Sequence, residues 1–268
     1  MSLRTLLKNT AYRSVTALFG DREGFVKLPV VQGPAKGLVF RVDLVRRMEA
    51  YWHGRYDQDI LETLSHHLLR PGITVWDCGI YIGYYTCFFA RAVGEAGRVI
   101  AFEPDPACLG RTRENVGLNG FQNVSWVHAA IGDQTGKSAF ILSGNTNSHL
   151  PGGWVGATEE DYRREVERQT GTMEVQVYTL DDALSAAPPP DLVKIDIEGF
   201  EGRAVQHTRK LIEQHRPVFV VELHNPECDR AVWEYFNGQG YEILNASTME
   251  PVPTVQESGG TLVCRPRG

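Results

Sequence analysis

The strongest constraint on the fold is a regular alternation of short apolar segments with helical segments through most of the chain. Seven strands are predicted, at 73–77, 98–104, 124–131, 191–196, 218–223, 241–244 and 261–264. Helices are predicted between them over 83–94, 106–120, 200–214 and 226–237. Strands that are apolar throughout and alternate with helices are typical of a parallel sheet buried on both faces. The predicted fold class is therefore α/β, with a mostly parallel, Rossmann-like seven-stranded sheet and helices on both faces.

The residues before this alternation are predicted to form a small N-terminal extension. A basic, mildly amphipathic helix is expected within residues 1–20, and a β-hairpin around Gly33-Pro34 within residues 25–43. Residues 57–69 carry apolar side chains at helical spacing and end at Arg70-Pro71-Gly72, which is a helix stop. We therefore expect an extension over 1–56 and an α/β domain over 57–268.

The amino-acid composition limits which binding partners and which cellular location are expected for this chain. Lys and Arg number 27 against 33 Asp and Glu, a net charge of −6, which argues against a nucleic acid partner because phosphate binding needs a basic face. No apolar run approaches the roughly 20 residues of a membrane span, so no stable membrane insertion is expected. The five cysteines are scattered without a C-x-x-C pair, which favours reduced thiols in a cytoplasmic protein.

The first strand leads into DCGIYIGYYT (77–86), a glycine loop before a helix. A dinucleotide-binding fingerprint would need glycines at 79, 81 and 84, but Tyr81 and Tyr84 stand at two of these positions. S-adenosylmethionine (SAM) fits such a loop because it brings no pyrophosphate. Gly79 would let the backbone approach the cofactor, and Gly83 would allow close entry of the helix.

Two acidic residues further along suit the same cofactor. Glu103 ends the second strand, 20 residues after Gly83, where a carboxylate can accept hydrogen bonds from both ribose hydroxyls. Asp133 follows the third strand and would accept from the adenine amino group. A carboxylate at the end of a strand is also commonly a solvated helix cap. The predicted cofactor-binding residues are Asp77, Gly79, Tyr81, Gly83, Glu103 and Asp133.

Four ionisable residues follow the fourth and fifth strands at the same spacing. Asp196 and Glu198 are two residues apart, as are Glu222 and His224, so each pair would point the same way in extended backbone. Methyl transfer needs alignment of donor and acceptor and removal of a proton from an acceptor hydroxyl. The predicted catalytic residues are Asp196, Glu198 and His224. A divalent cation held by these four groups, or capping of the following helix by Glu198 and Glu201, is an open alternative, and no metal is predicted.

The long connection over 143–175 is predicted to contribute the acceptor site, because long connections in compact domains are often lids or binding loops. Its polar side chains suit a small polyhydroxylated acceptor, and its charged stretch TEEDYRREVERQ is expected to be a solvated helix. Tyr51, Trp52 and Tyr56 form either another wall of the pocket or part of the core. The predicted substrate-binding residues are Asn145, Asn147, Ser148 and Glu222.

Four motifs resemble those of the FkbM-type family of SAM-dependent methyltransferases. That family runs roughly D-x-G-A-N-x-G-x-x-[ST], F-E-P, N-x-x-x-N and K-I-D-x-E-G-x-E. The corresponding segments here are DCGIYIGYYT, AFEP, Asn115 with Asn119, and KIDIEGFE at 194–201. The similarity spans about residues 50–224 and departs at Ile80 and Tyr81, where the family has Ala-Asn.

The resemblance implies a class I SAM-dependent methyltransferase fold and transfer to a hydroxyl of a sugar or small natural product. The departure at Ile80 and Tyr81 motivates an alternative, a SAM-binding protein that lacks transfer activity. A nucleotide-linked oxidoreductase is a third reading, which the two tyrosines in the glycine loop disfavour.

Overall fold

The structure is a computed structural model, and it describes residues 3–21, 23–44, 48–143, 148–156, 158–255 and 260–267. The helices are α1 (Leu3–Phe19), α2 (Glu49–His53), α3 (Gln58–His67), α4 (Tyr84–Val93), α5 (Pro106–Leu118), α6 (Glu159–Arg168), α7 (Glu201–Ala204), α8 (Arg209–His215) and α9 (Pro226–Gly238). The strands are β1 (Val26–Pro29), β2 (Val39–Val42), β3 (Thr74–Cys78), β4 (Arg98–Phe102), β5 (Val124–Val127), β6 (Ala130–Ile131), β7 (Gly136–Ser143), β8 (Gln169–Tyr178), β9 (Leu192–Ile195), β10 (Val218–Glu222), β11 (Tyr241–Asn245) and β12 (Thr261–Pro266).

The central sheet has seven strands in the order β11-β12-β10-β9-β3-β4-β5. Five adjacent strands run parallel to one another, namely β5, β4, β3, β9 and β10. Strand β12 is antiparallel to both of its neighbours, β10 and β11. This confirms the predicted fold class, a mostly parallel seven-stranded class I methyltransferase sheet. The strand order reverses on either side of β3, between β4 and β9, and ligands of such sheets lie beyond the carboxyl ends of the strands at that point.

Both faces of the sheet are covered by apolar packing. Val75 packs on one face with residues of α3, α4 and the β1–β2 hairpin, whereas Trp76 packs on the other with residues of α8 and α9. Alternate residues of a strand point to opposite faces, so a strand with both faces buried must be apolar throughout. The predicted strands were found in the sequence by this property.

The N-terminal hairpin is fixed to the sheet by two asparagines of α5. The Asn115 side chain accepts a hydrogen bond from the Arg41 backbone N–H at 2.9 Å and donates to the Ile82 carbonyl at 2.8 Å. The Asn119 side chain exchanges two hydrogen bonds of 2.8 Å with the backbone of Val39. The N-x-x-x-N motif therefore ties β2 to the glycine loop. A domain boundary at residue 56 stays a prediction.

The predictions were wrong about the region between the third and fourth strands of the central sheet. The predicted strand over 124–131 is two strands, because β6 leaves the central sheet and pairs with β8. The stretch expected to be irregular contains β7 and β8, which form an antiparallel ladder, with α6 between them. These strands were missed because few of their residues are buried, one in β7 and two in β8, unlike the continuously buried strands of the central sheet.

The helix predicted over 200–214 is also interrupted. It consists of α7, a 3₁₀ turn at Val205–His207 and α8. Thr208 separates the last two and donates a hydrogen bond from its hydroxyl to the Val205 carbonyl at 2.7 Å. Among the residues that the structure describes, no helix has the length and apolar character needed to cross a membrane.

Candidate functional site

A cavity of about 590 Å³ opens beyond the carboxyl ends of the central strands. Part of its wall comes from the glycine loop and the end of β4, and another part from β6, β7 and β8. The lining residues used below are Gly79, Ile80, Tyr81, Glu103, Ser148, Asp196 and Glu198. The reversal of strand order predicts a site at this edge of the sheet, and the structure brings most of the candidate residues to it.

Glu103 lies at one end of the cavity, held by backbone N–H groups. Its carboxylate accepts hydrogen bonds from Ile80 N at 3.3 Å and from Asp105 N at 2.9 Å. Only 6% of the residue is exposed, and burial raises the pKa of its carboxyl group to about 7. A fixed carboxylate beside a cavity suits a diol, which donates two hydrogen bonds to one acceptor group.

The two glycines of the loop meet different requirements. Gly79 has φ of +80°, and a Cβ there would overlap the carbonyl oxygen of Asp196. Gly83 opens α4 at φ of +78°, and a Cβ there would overlap the Thr112 side chain of α5. Gly79 is thus required by contact with the neighbouring strand end, as well as lining the cavity. Gly83 allows close helix packing, as the sequence suggested.

Tyr81 lines the cavity in a left-handed conformation, with φ of +48°. Asn adopts this region more readily than Tyr, because its short polar side chain hydrogen-bonds to the local backbone. The ring of Tyr81 lies 6.5 Å from that of Tyr51, centroid to centroid. The Tyr81 side chain therefore replaces an Asn at a strained position and adds apolar surface to the cavity wall.

Replacing Tyr81 with Asn is expected to weaken binding of S-adenosylhomocysteine about fivefold. The substitution removes roughly 40 Å² of ring surface from the cavity, and apolar burial contributes about 25 cal/mol per Å². Calorimetry measures the affinity. Tyr84→Phe is the control, since Tyr84 is a residue of α4 and is not among the described residues that line the cavity. An unchanged affinity in Tyr81→Asn would make Tyr81 a bystander.

The opposite end of the cavity carries a cluster of acidic residues around His224. The imidazole Nε2 lies 3.5 Å from Asp196 Oδ1, 3.7 Å from Glu198 Oε2 and 3.9 Å from Glu222 Oε1. Its Nδ1 lies 3.0 Å from Glu201 Oε1, without the alignment of a hydrogen bond. The structure thus brings all three predicted catalytic residues and Glu222 together.

Glu201 was not predicted as a site residue, and it is fully buried. Its Oε1 accepts from Ile197 N at 2.7 Å and Gly199 N at 3.3 Å, and its Oε2 accepts from the Cys228 thiol at 3.2 Å. The sequence-based alternative, a helix cap, describes part of this role. Glu201 stands at the start of α7 and binds the backbone that carries Glu198.

The cluster perturbs the pKa values of its members. The negative charge of Asp196, and then burial, raises the pKa of Glu222 to about 8, and burial with Asp196 raises that of Glu198 well above its usual range. Burial would lower the pKa of His224, but Glu201 and Asp196 raise it to about 10. Burial opposes ionisation of Asp196, yet Lys194 and His224 hold its pKa below the usual value. Perturbed groups of this kind are concentrated at functional sites.

Lys194, which the sequence analysis overlooked, lies under the glycine loop. Its ammonium group is 2.8 Å from Asp196 Oδ2 and 3.9 Å from Asp77 Oδ1, and it donates to the Gly79 carbonyl at 3.1 Å. It is 4% exposed, and it stands over the ring of Tyr85 at 4.9 Å. A single charged residue inside the otherwise apolar, buried strand LVKI (β9) is a visible signal of such a role.

Asp77 lies below the loop and is fully buried, so it faces the protein instead of the cavity. Its Oδ2 accepts a hydrogen bond from the Thr86 hydroxyl at 2.6 Å, and its Oδ1 makes no hydrogen bond among the described residues. Burial raises the pKa of Asp77 to about 6. Asp77 therefore joins β3 to α4 and pairs with Lys194.

The remaining candidates are placed as follows. Ser148 lines the cavity, and its hydroxyl accepts from Ser143 N at 3.1 Å. Asn145 and Asn147 lie outside the described residues. Asp133 is half-buried and is not among the described residues that line the cavity.

The aromatic residues before α3 form a stacked wall near the acidic cluster. The rings of Tyr51 and Tyr56 are stacked at 4.2 Å, and the ring of Tyr84 lies edge-on to both. The charges of Asp196 and Glu222 add to burial in raising the pKa of Tyr56. Tyr51, Trp52 and Tyr56 all pack against the core, and none of them is among the described residues that line the cavity, so the interpretation as core is the one that fits.

Comparisons with known proteins agree with this arrangement. A family sequence model described as "Methyltransferase FkbM domain" matches residues 77–243, which is more than half of the chain. A curated relative, an arsenite methyltransferase of Halobacterium salinarum, is 29% identical over 136 residues. That match covers 50% of this chain and 33% of the relative, so the chain spans about a third of the length of the curated protein it matches.

Among solved structures, similarity extends to a methyltransferase FkbM from Methylobacillus flagellatus KT. The identity is 16%, the match covers 95% of this chain and 58% of that one, and the TM-score is 0.45. A precorrin-6y C5,15-methyltransferase from Geobacter metallireducens GS-15 is 15% identical over 79% of this chain and 89% of that one, with a TM-score of 0.46.

Proposed function

Because this chain belongs to the methyltransferase FkbM domain family, we propose that it transfers a methyl group from SAM to a hydroxyl group of a sugar or another small natural product. The observation that carries the proposal is the composition of one cavity. Glu103, which follows β4, and Asp196 and Glu198, which follow β9, all line it, and β3 separates these two strands in the sheet. The Glu103 side suits a nucleoside, and the Asp196 side suits a hydroxyl that must lose a proton.

The residues present fit SAM. The buried carboxylate of Glu103 offers two oxygens for the ribose hydroxyls, and apolar side chains such as Phe102 and Ile131 line the space beside it. Asp196, whose pKa Lys194 and His224 hold below the usual value, brings negative charge to the part of the cavity where a sulfonium would lie. When bound, SAM supplies a methyl group that is open to in-line attack by an acceptor oxygen.

In this reaction the protein holds the acceptor hydroxyl and takes its proton. Asp196 and Glu198 line the cavity and are placed to accept a hydrogen bond from that hydroxyl. The proton then passes to the neighbouring carboxyl groups, among which Glu222 has a pKa of about 8. Groups with pKa values near the working pH are efficient proton acceptors.

Ser148 and the region around it are proposed to contact the rest of the acceptor, together with Glu222. The Ser148 hydroxyl accepts a hydrogen bond from Ser143 N and has a proton left to donate. The lining on this side mixes polar groups with Phe140 and Leu142, which suits a small molecule with both hydroxyls and apolar edges. The net charge of −6 supports a small acceptor over a nucleic acid.

Two further proposals concern location and organisation. We place the protein in the cytoplasm, supported by five cysteines that are all free. We place the boundary of the extension at residue 56, supported by α3, which begins at Gln58, and by a family match that begins at residue 77.

Affinity for S-adenosylhomocysteine is expected to rise about tenfold between pH 6 and pH 8. Burial raises the pKa of Glu103 to about 7, so about a tenth of these groups are ionised at pH 6 and nine tenths at pH 8. Only the ionised carboxylate accepts from both ribose hydroxyls. Calorimetry at pH 6, 7 and 8 measures the trend, and Glu103→Gln should bind about tenfold more weakly at pH 8 with little dependence on pH.

Asp133→Asn is the control for this experiment, because Asp133 is not among the described cavity-lining residues. It should keep both the affinity and its pH trend. A flat trend in the unaltered protein would contradict the role of Glu103. A loss of affinity in Asp133→Asn would instead support the contact with adenine that the sequence suggested.

The proposed reaction is tested with SAM that carries a ¹³C-labelled methyl group. Sugars, polyols and phenolic natural products are supplied as acceptors, with amines and thiols of similar size as competitors. The methyl ¹³C chemical shift of the product tells which atom is methylated. Methylation of oxygen supports the proposal, and methylation of amines or thiols alone contradicts it. Cofactor binding without transfer to any acceptor class would favour a SAM-binding protein that lacks transfer activity.

A further inference from the structure

We propose that His224, Asp196, Glu198 and Glu222 bind one divalent metal cation at the end of the cavity where the acceptor hydroxyl reacts. Binding of the cation follows from the cluster alone. Its contact with the acceptor rests on the proposed function and specifies how the same residues would activate the hydroxyl.

The first argument is the spacing of the donor atoms. Asp196, Glu198 and Glu222 each place one carboxylate oxygen 3.5 to 3.9 Å from Nε2 of His224. Hydrogen bonds from a ring N–H are shorter, about 2.7–3.2 Å. Neighbouring donor atoms around a cation with bonds of about 2.1 Å are separated by about 3.0 Å in octahedral and 3.4 Å in tetrahedral geometry. The oxygens therefore surround the nitrogen at nearly the separations found between ligands.

The second argument is the other side of the imidazole ring. Glu201 Oε1 lies 3.0 Å from Nδ1, opposite the three carboxylates at Nε2. Histidines that bind metals commonly present their second nitrogen to a carboxylate, which fixes the ring orientation. The oxygens of Glu201 already accept from two backbone N–H groups and a thiol. Glu201 is therefore a positioning residue, and the donor atoms of Asp196, Glu201 and His224 all lie within 4.8 Å of one another.

The third argument is the state of the imidazole itself. The His224 side chain is only 8% exposed, and the three carboxylate oxygens that surround its Nε2 lie 3.5 to 3.9 Å away, beyond ordinary hydrogen-bond distance. A buried polar atom without a close partner is costly unless a ligand satisfies it. A cation bound to Nε2 would be that ligand.

The donor set also limits the metal. Carboxylate oxygens suit Mg²⁺ and Mn²⁺, and an imidazole among them favours a transition metal. The Cys228 thiol, which would attract softer metals, donates to Glu201 instead. We therefore assign Mn²⁺ as the best probe and Mg²⁺ as its competitor. A cation here would lower the pKa of a hydroxyl bound to it, which makes the oxygen a better nucleophile.

The test is titration of the chelator-treated protein with Mn²⁺, without SAM or acceptor, followed by calorimetry and electron paramagnetic resonance. One Mn²⁺ should bind per chain, and electron spin echo modulation should detect one coordinated imidazole nitrogen. Glu222→Gln should weaken binding at least tenfold, and His224→Gln should remove the nitrogen signal. The control is Glu174→Gln, which alters an exposed carboxylate paired with Lys137 and should bind Mn²⁺ normally.

Thermal unfolding of each variant without metal checks that it is folded. The site is overturned if the folded, unaltered protein binds no Mn²⁺, or if Glu222→Gln and Glu174→Gln bind it equally. Methyl transfer that continues at full rate after verified removal of metal would overturn the role in activation and leave the proposed function standing. Binding of Mn²⁺ without any methyl transfer would instead support the metal site and contradict the proposed function.

Discussion

Replacing Lys194 with methionine is expected to lower the free energy of unfolding by about 3–5 kcal/mol, the cost of leaving buried charges without their partner. The ammonium group lies 2.8 Å from Asp196 and 3.9 Å from Asp77. Oδ1 of Asp77 makes no hydrogen bond within the described chain, so Lys194 is what compensates its charge. Methionine fills a similar volume, which limits the loss to electrostatics and the hydrogen bonds to the Gly79 carbonyl and to Asp196.

Urea unfolding monitored by circular dichroism measures this loss. Lys137→Met is the matched control, because Lys137 is paired with Glu174 in an exposed ion pair. Exposed pairs contribute about 0–1 kcal/mol, so the control should change stability only slightly. Equal effects in the two variants would show that the buried lysine does not hold the loop.

The same variant should show a characteristic dependence on pH. Lys194 lowers the pKa of Asp77 against the effect of burial, so its removal raises that pKa further above about 6. A carboxyl whose folded pKa exceeds its unfolded value loses stability as the pH rises between the two. The deficit of Lys194→Met should therefore be larger at pH 8 than at pH 5, and Asp77→Asn added to it should recover part of the stability at pH 8.

The central sheet could be predicted from the sequence because its strands are buried on both faces. Val75 and Trp76 pack on opposite sides of β3, so the strand is apolar at every position and stands out. The pair β7 and β8 could not be found in this way. Only Phe140 in β7 and Val175 and Val177 in β8 are buried, so most of this ladder is exposed or half-buried, as a loop next to a charged helix would be.

The candidate site was predictable where function depends on the position of a residue at a strand end. Asp196 and Glu198 follow β9, Glu222 ends β10 with His224 beyond it, and a parallel sheet brings these ends to one edge. The role of Lys194 depends on the neighbouring strand and its loop, since its partners Asp77, within β3, and Gly79, just after β3, lie more than 100 residues earlier in the chain. Spacing along one strand carries no information on that contact.

The conformation of Tyr81 explains why its position was difficult to interpret. The sequence shows a bulky residue where the resembling family has Asn, and this departure motivated the alternative of a SAM-binding protein that lacks transfer activity. The structure shows a left-handed backbone at φ of +48° with the side chain at the cavity wall. Asn is preferred at such a position because of the backbone conformation. The Tyr side chain therefore adds backbone strain but does not block the cavity.

Replacing Asp196 with asparagine is expected to reduce kcat for methyl transfer by a factor of about 100 to 10,000, the range that positioned acid–base groups contribute. Asparagine keeps the shape and can still accept from Lys194 at the position of Oδ2, which lies 2.8 Å away in the native pair. It cannot take a proton or carry the negative charge next to the acceptor. Affinity for S-adenosylhomocysteine should change less than threefold, because Glu103 holds the other end of the cofactor.

Steady-state kinetics with both substrates separates the possible outcomes. A loss in kcat with an unchanged KM for SAM assigns Asp196 to the acceptor, whereas a raised KM with normal kcat would make it a cofactor-binding residue and contradict the prediction. Glu242→Gln, which alters a carboxylate paired with Arg265 on the far strands, is the control and should be fully active. If excess Mn²⁺ restores part of the rate of Asp196→Asn, the variant has lost affinity for the metal. If Mn²⁺ restores none of the rate, Asp196 is needed to accept the proton of the acceptor hydroxyl, because a cation held by the remaining ligands cannot accept that proton.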